Sequence, residues 1–166
     1  MLALALFAVL VPLATARPAN LEWGAGQGFV APFLTNSMTH APPYPKNGND
    51  VYLTDGPYNN WTYGQNQVIK WVSPYNQGDF CFDAGLEPKD GTRLKIWQCY
   101  PGAPQQTWDV ADGHIKLAGK NLCVDVPNGN KTAGFLQLWT CDKRNPNQIF
   151  GEFCGSRGSG PYPSGG

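Results

Sequence analysis

Residues 81 to 150 contain two copies of one pattern, offset by 42 residues. Cys81 matches Cys123 at this offset, and Cys99 matches Cys141. Agreement extends well beyond cysteine and needs no gap. The other matched pairs are Asp83 and Asp125, Leu94 and Leu136, Trp97 and Trp139, Gln106 and Gln148, and Trp108 and Phe150. So many residue types in register indicate two copies of one structural unit.

The apolar residues of each copy form short runs, such as 94–97 and 135–139, between clusters of Gly, Pro, Asn and Asp. This spacing predicts short strands and turns rather than helices. One unit of about four short strands cannot bury its own apolar face, so several units must pack around a common axis. The sequence therefore predicts an all-β fold.

The cysteines bracket equivalent segments of the two copies. In a secreted chain, where disulfides persist, we expect Cys81 to pair with Cys99 and Cys123 with Cys141. Cys154 is then left over, either as a free thiol or as a link between two chains in a homodimer.

The composition limits the class of partner. A chain of 166 residues has room for one ordinary domain, and 12 basic residues balance 12 acidic ones, so no charged field favours nucleic acid. Aromatic residues make up 13% of the chain against 14% for charged residues, which favours recognition by stacking. Residues 1–16 are an apolar run ending in Ala14-Thr15-Ala16 and predict a signal peptide, so we expect a secreted product with no membrane span.

Three motifs recur in the two copies: Cys-x-Asp, then Leu-x-x-Trp-x-Cys, then Gln-x-aromatic. In the second copy they read Cys123-Val-Asp, Leu136-Gln-Leu-Trp-Thr-Cys and Gln148-Ile-Phe, and Asn147 precedes the last of them. They resemble the ricin B-type lectin family, especially its fungal secreted members. The resemblance implies a β-trefoil of three units, here at about 25–68, 69–110 and 111–152 within a domain of 17–154. We expect an irregular N-terminal arm within 17–46 and a disordered tail at 155–166.

The first unit is degenerate. Its trace is Asn47–Asp55 followed by Tyr58-Asn59-Asn60-Trp61, with no cysteine and no aspartate in the expected places. Asp55 stands where the stacking aromatic is expected. We therefore expect this unit to close the fold without binding sugar.

The resemblance implies a sugar site in the third unit. There Trp139 is the stacking plate, Asp125 and Asn147 bind ring hydroxyls, Gln137 supports them, and Gln148 orients Asp125. The family commonly selects galactose or its N-acetyl derivative. A structural interpretation stays open at this point, in which Trp139 is an inward plug and Asp125 satisfies turn N–H groups.

The second unit is a candidate for another carbohydrate site, formed by Asp83, Trp97, Gln105 and Gln106. Lys95 replaces the expected Gln, and Gln105 replaces the expected Asn, which alters the rim. We expect Gln148 and Phe150 to be structural rather than to touch a ligand, because the Gln-x-aromatic triplet recurs.

Other candidate sites are weaker. Asn130 and Asn60 begin glycosylation sequons, and Asn130 is the better candidate because Asn60 lies in a core motif. His40 and His114 lack neighbours at metal-ligand spacing, so we expect no metal, and we expect no cofactor. The glycines of residues 24–28 form a turn without the lysine of a phosphate loop.

An enzyme is not expected. Asp83 and Asp125 are equivalent residues of different units, too far apart to act as a glycosidase pair. Two alternatives to a free lectin remain at this point. One is a protease inhibitor or other non-sugar-binding protein on the same fold. The other is a carbohydrate-targeting module without its enzyme partner.

Overall fold

The computed structural model describes residues 21–24, 28–32, 45–54, 61–72 and 78–151. The predicted signal peptide, Asp55, Asn60, His40, Cys154 and the tail from 155 lie outside these residues. Eleven strands are described: β1 Glu22–Trp23, β2 Gly28–Ala31, β3 Tyr52–Thr54, β4 Trp61–Tyr63, β5 Ile69–Trp71, β6 Phe80–Asp83, β7 Lys95–Gln98, β8 Trp108–Ala111, β9 His114–Leu117, β10 Leu122–Asp125 and β11 Gln137–Thr140. Short 3-10 turns occupy Gln65–Gln67, Pro104–Gln106, Pro127–Gly129 and Pro146–Gln148.

The strands form three antiparallel sheets in chain order: β1-β2-β3, β4-β5-β6-β7 and β8-β9-β10-β11. Equivalent strands pair in equivalent register. Cys81 lies opposite Trp97, Cys123 lies opposite Trp139, and Phe29 lies opposite Thr54. Among the described residues, no helix is long and apolar enough to cross a membrane.

A closed ring of backbone hydrogen bonds joins the three units. Val51 donates its N–H to the carbonyl of Leu94, Leu94 to that of Leu136, and Leu136 to that of Val51, at 3.0, 2.9 and 2.7 Å. All three residues are fully buried. The ring marks a pseudo-threefold axis, and the prediction of an all-β trefoil with three units is confirmed.

The two ends of the described chain also meet. Trp23 forms an antiparallel bridge with Phe150, and the amide of Gly151 donates to the carbonyl of Glu22 at 2.7 Å. The same relation holds inside the chain, where Trp61 lies opposite Trp71 and Trp108 opposite Leu117. Part of the region expected as an irregular arm, β1 and β2, is therefore paired sheet.

Large apolar side chains from all three units fill one core. Trp61 and Trp108 are fully buried, and both pack edge-on against Phe82, with ring centroids 4.6 and 6.0 Å away. Trp61 donates its indole N–H to the carbonyl of Val30 at 2.8 Å, and Trp108 donates to that of Phe82 at 3.3 Å. Phe150 takes the equivalent place in the third unit, where no indole N–H is available.

Two disulfides fasten adjacent strands. Cys81–Cys99 joins β6 to the residue after β7, and Cys123–Cys141 does the same for β10 and β11, with Cα atoms 5.1 and 5.0 Å apart. Both predicted pairings are confirmed. Each bond holds together the two strands that carry the repeated aspartate and tryptophan positions.

Candidate functional site

Trp139 stands on the outer face of β11. Strand alternation buries Leu138 and turns Gln137 and Trp139 to the other side, and the Trp139 side chain is 44% exposed. Its ring lies above Gly91 of the second unit, where an added methyl carbon would come within 3.9 Å. The inward-plug interpretation of Trp139 is therefore wrong.

Asp125 lies beside this plate, at the end of β10 and opposite Gln137. It is only 3% exposed, and three amide side chains donate to its carboxylate. Gln137 Nε2 donates to Oδ1 at 2.9 Å, while Gln148 Nε2 and Asn145 Nδ2 each donate to Oδ2 at 3.2 Å. These contacts fix the orientation of a carboxylate that would be costly to bury without donors.

The repeat gave no sign of Asn145, because its counterpart in the second unit is Ala103. Asn145 has two roles here: besides binding Asp125, its Oδ1 accepts the backbone N–H of Asn147 at 3.0 Å. The signal available in the sequence was an Asn directly before a Pro that opens a short turn, a position that favours capping.

Asn147 offers a side-chain amide at the rim. Its backbone carbonyl accepts the N–H of Val126 at 3.0 Å, which fixes its place beside Asp125. Its side chain makes no hydrogen bond within the described part of the chain, so the amide is available to a ligand. Gly129 makes room for it: φ is +64°, and a Cβ there would lie 2.8 Å from Asn147 Oδ1.

The second unit has the same framework with different contacts. Trp97 is 38% exposed and lies above Gly48, as Trp139 lies above Gly91. Asp83 is 6% exposed, but its Oδ1 accepts the backbone N–H of Gly85 at 2.8 Å. Lys95, although directly opposite Asp83 on β7, makes no ion pair with it among the described residues.

Pro127 explains the difference between the two carboxylates. It occupies the place of Gly85, two residues after the aspartate, and proline has no N–H to donate. Asp83 Oδ1 therefore accepts a backbone N–H within its own turn, whereas Asp125 Oδ1 accepts a hydrogen bond from the side chain of Gln137. The structural interpretation of the aspartate as a turn-satisfying group fits Asp83 and does not fit Asp125.

Gln106 and Gln148 are fully buried connectors. Gln106 Nε2 donates to Asp83 Oδ2 at 2.9 Å and to the carbonyl of Gln98 at 3.0 Å, and its Oε1 accepts the N–H of Tyr100 at 2.8 Å. Gln148 repeats all three contacts, with Asp125, Thr140 and Asp142. Both amides tie the aspartate to the turn after the second cysteine of their unit.

At its described positions, the first unit has neither the aspartate nor the tryptophan of the other two. The hydrogen-bond ring aligns Val51 with Leu94, so Thr54 takes the place of Trp97 and Ala31 that of Asp83. The placement of Asp55 at the aromatic position was wrong by one residue. The spacing from the first unit to the second is 43 residues, whereas the spacing from the second unit to the third is 42. Tyr52 takes the place of Lys95.

Burial raises the pKa of the Tyr52 hydroxyl, and the Asp50 carboxylate raises it further.

Comparison with known proteins identifies the family of this chain. The family model described as the ricin-type beta-trefoil lectin domain matches residues 42–150, more than half of the chain. The chain belongs to the ricin-type β-trefoil lectin family. This family is carbohydrate-binding and non-enzymatic, in agreement with the prediction that the chain is not an enzyme. A comparison with curated proteins gave no match.

Two solved structures show the same fold as this lectin domain. One is the C-half of the earthworm R-type lectin in complex with GalNAc, with 19% identity and a TM-score of 0.58. The other is a mutant of the earthworm lectin C-terminal domain in complex with 6'-sialyllactose, with 18% identity and a TM-score of 0.57. Each alignment covers 81% of this chain and 95% of the other.

Two other candidates, His114 and Asn130, lie within the described residues. His114 contacts the carbonyl of Asp112 through Nδ1 at 3.0 Å. No group of three or more His, Cys, Asp or Glu side chains suited to a metal occurs in the described ranges. Asn130 is exposed, and its Oδ1 accepts the N–H and the hydroxyl of Thr132 at 3.0 and 2.8 Å.

Proposed function

We propose that this protein is a secreted lectin whose third unit binds galactose-type, N-acetylgalactosamine-type or related glycans. The observation that carries the proposal is the exposed Trp139 ring beside a recessed Asp125 carboxylate that amide side chains hold in place. In this site Asp125, Gln137 and Asn147 contact the sugar hydroxyls, while Asn145 and Gln148 position Asp125.

The chemistry of a hexose fits this arrangement. A pyranose ring has a face of C–H groups that packs on an indole and a rim of hydroxyls that need fixed partners. Asp125 Oδ1 carries one protein hydrogen bond and keeps a lone pair for a hydroxyl, and Asn147 adds both a donor and an acceptor. A carboxylate that accepts hydroxyls only in one placement distinguishes axial from equatorial groups, the difference that defines galactose.

Secretion and glycosylation are parts of the same proposal. The apolar run at 1–16 supports export, and two disulfides are typical of proteins that mature in an oxidising compartment. The exposed Asn130 sequon supports glycan attachment there. Mass spectrometry of the secreted product, before and after enzymatic removal of N-glycans, tests both.

The test of the third-unit site is calorimetric titration of the mature secreted protein with galactose and N-acetylgalactosamine, beside Trp139→Ala. We expect a dissociation constant of roughly a millimolar for one monosaccharide, because a small contact must overcome ordering and desolvation costs. Removing the plate should abolish binding by the third unit. Trp139 is at the surface, so thermal unfolding should change little.

Trp97→Ala is the matched control, because Trp97 occupies the equivalent place in the second unit. It should leave the third-unit binding isotherm intact. If folded wild-type protein binds neither sugar, and a glycan array also shows no binding, the lectin proposal for the third unit is wrong. If Trp97→Ala abolishes galactose binding while Trp139→Ala does not, the site lies in the second unit.

A further inference from the structure

The outward faces of the second and third units differ in charge. In the third unit this face carries Phe135, Gln137 and Trp139, and in the second it carries Arg93, Lys95 and Trp97. Leu94 and Ile96 between them are fully buried, which directs their alternate neighbours outward. The neutral Gln137 of the third unit is thus replaced by the cationic Lys95 in the second. Arg93 lies between the two units, because its backbone bridges to Gln137 and its guanidinium lies over the Phe135 ring.

Lys95 is the unpaired cation of this face. Its ammonium has no ion-pair partner within the described residues, although Asp83 lies opposite it and Asp50 bridges to it through the backbone. The contacts of both carboxylates explain this. Asp83 accepts from Gly85 and Gln106, and Asp50 accepts from Arg93 Nη1 at 2.9 Å.

The cations also extend further into solvent than the carboxylates. The Arg93 side chain is 54% exposed and that of Asp50 only 18%, while Lys95 is exposed and Asp83 is buried. Arg93 is held by Asp50 and lies over the Phe135 ring at 4.2 Å, so its position is fixed. At the Trp97 rim, the exposed cation is therefore Lys95, which a ligand meets before the buried Asp83 carboxylate.

We infer that the second unit binds saccharides that carry an anionic group, a carboxylate or a sulfate ester, with Trp97 as the plate and Lys95 as the counter-ion. This inference deepens the proposed function, because it rests on the carbohydrate-binding role of the fold. Asp83 is engaged in its own turn and contributes less to hydroxyl recognition than Asp125. Lys95 and the half-buried amide of Gln105 supply the polar contacts instead, and a charged ligand gains a charge-assisted hydrogen bond.

The test follows the indole N–H signals of Trp97 and Trp139 by NMR, assigned with Trp97→Phe and Trp139→Phe. Galactose, galacturonic acid and galactose 6-sulfate are titrated separately at low salt. We expect at least one of the two acidic sugars to shift the Trp97 signal with roughly fivefold higher affinity than galactose. A ratio of this size corresponds to the contribution of one exposed ion pair to binding. The two acidic probes distinguish a carboxylate ligand from a sulfate ester.

Lys95→Gln should abolish the preference for the acidic sugar, and Lys95→Arg should retain it. Lys120→Gln, which removes an exposed lysine of the third unit, is the matched control and should change nothing. The preference should also fall as salt is raised, because an exposed ion pair is screened.

The two proposals fail in different ways. If galactose shifts the Trp139 signal and neither acidic sugar is preferred at Trp97, the inference is wrong and the third-unit proposal stands. If the preference persists in Lys95→Gln, the inference is also wrong. If an acidic sugar shifts Trp97 in a Lys95-dependent way while no sugar shifts Trp139, the inference stands and the third-unit proposal fails.

Discussion

Gly85 donates its backbone N–H to the Asp83 carboxylate, with 2.8 Å between nitrogen and Oδ1. The same relation cannot form in the third unit, where Pro127 follows Asp125 by two residues. One residue outside the proposed sugar-contacting set thus decides whether the aspartate accepts a backbone N–H of its own turn.

Restoring that N–H should weaken the third-unit site. In Pro127→Ala the new amide can compete with Gln137 for Asp125 Oδ1, so we expect galactose affinity to fall about threefold to tenfold, equivalent to one ordinary hydrogen bond. Stability should fall by less than about 1 kcal/mol, because alanine tolerates the short turn that proline opens. Calorimetric titration and thermal unfolding measure the two effects.

Pro104→Ala is the matched control, since Pro104 also opens a 3-10 turn but does not follow an aspartate at this spacing. It should leave galactose binding unchanged. Equal affinities for Pro127→Ala and the wild type would contradict the role given to the missing N–H.

The repeat predicted the second and third units because their residues are matched without a gap. It could not place the first unit, because that unit has no cysteine, has no aspartate at the repeated position, and is separated from the second unit by a spacing one residue longer. Only the hydrogen-bond ring through Val51, Leu94 and Leu136 fixes that register.

The site was predictable in its residue types but not in its contacts. Asp125 and Gln148 stand at repeated positions, and their contact was expected. Asn145 has no counterpart in the second unit, and whether Asp125 accepts from a turn or from Gln137 depends on which donors are within reach. Single-residue motifs do not contain that information.

The two disulfides should contribute similarly to stability, because both close loops with a separation of 18 residues. Replacing Cys81 and Cys99 together with alanine should lower the free energy of unfolding by about 3 kcal/mol, and replacing Cys123 and Cys141 by about the same amount. Denaturant unfolding of the two double variants measures both losses. A loss below about 1 kcal/mol in either one would show that its loop is constrained by packing alone.

Trp61 should be among the most sensitive core residues. Trp61→Phe removes the indole N–H that binds the carbonyl of Val30 and leaves a void in a fully buried place. We expect a loss of about 2 to 4 kcal/mol in unfolding free energy. Trp139→Phe, the same change at the surface, should cost less than about 0.5 kcal/mol, so equal losses would contradict this account.

Tyr52 should make stability fall at alkaline pH. Burial raises its pKa in the folded protein above the ordinary value of a tyrosine, so folding favours the protonated hydroxyl. Its contribution is complete below about pH 10 and is lost as the pH rises through the folded pKa. Phenolate absorbance, compared with Tyr52→Phe, isolates this titration.

Asp50→Asn should lower the Tyr52 pKa without returning it to its ordinary value, because burial is the larger cause. Asp112→Asn removes an exposed carboxylate elsewhere and should not alter the Tyr52 titration. A Tyr52 pKa unchanged by Asp50→Asn would show that the carboxylate has no influence on it.

The bridge between Trp23 and Phe150 has a consequence for how the molecule is made. The N-terminal part of the chain is synthesised first, so β1 has an open edge until residue 150 has been synthesised. Pairings this distant in sequence form slowly, and an open strand edge is a template for association with other chains. We therefore expect the docking of Phe150 onto Trp23 to be the last step of folding, and a chain cut short before Phe150 to aggregate rather than accumulate as a smaller folded protein.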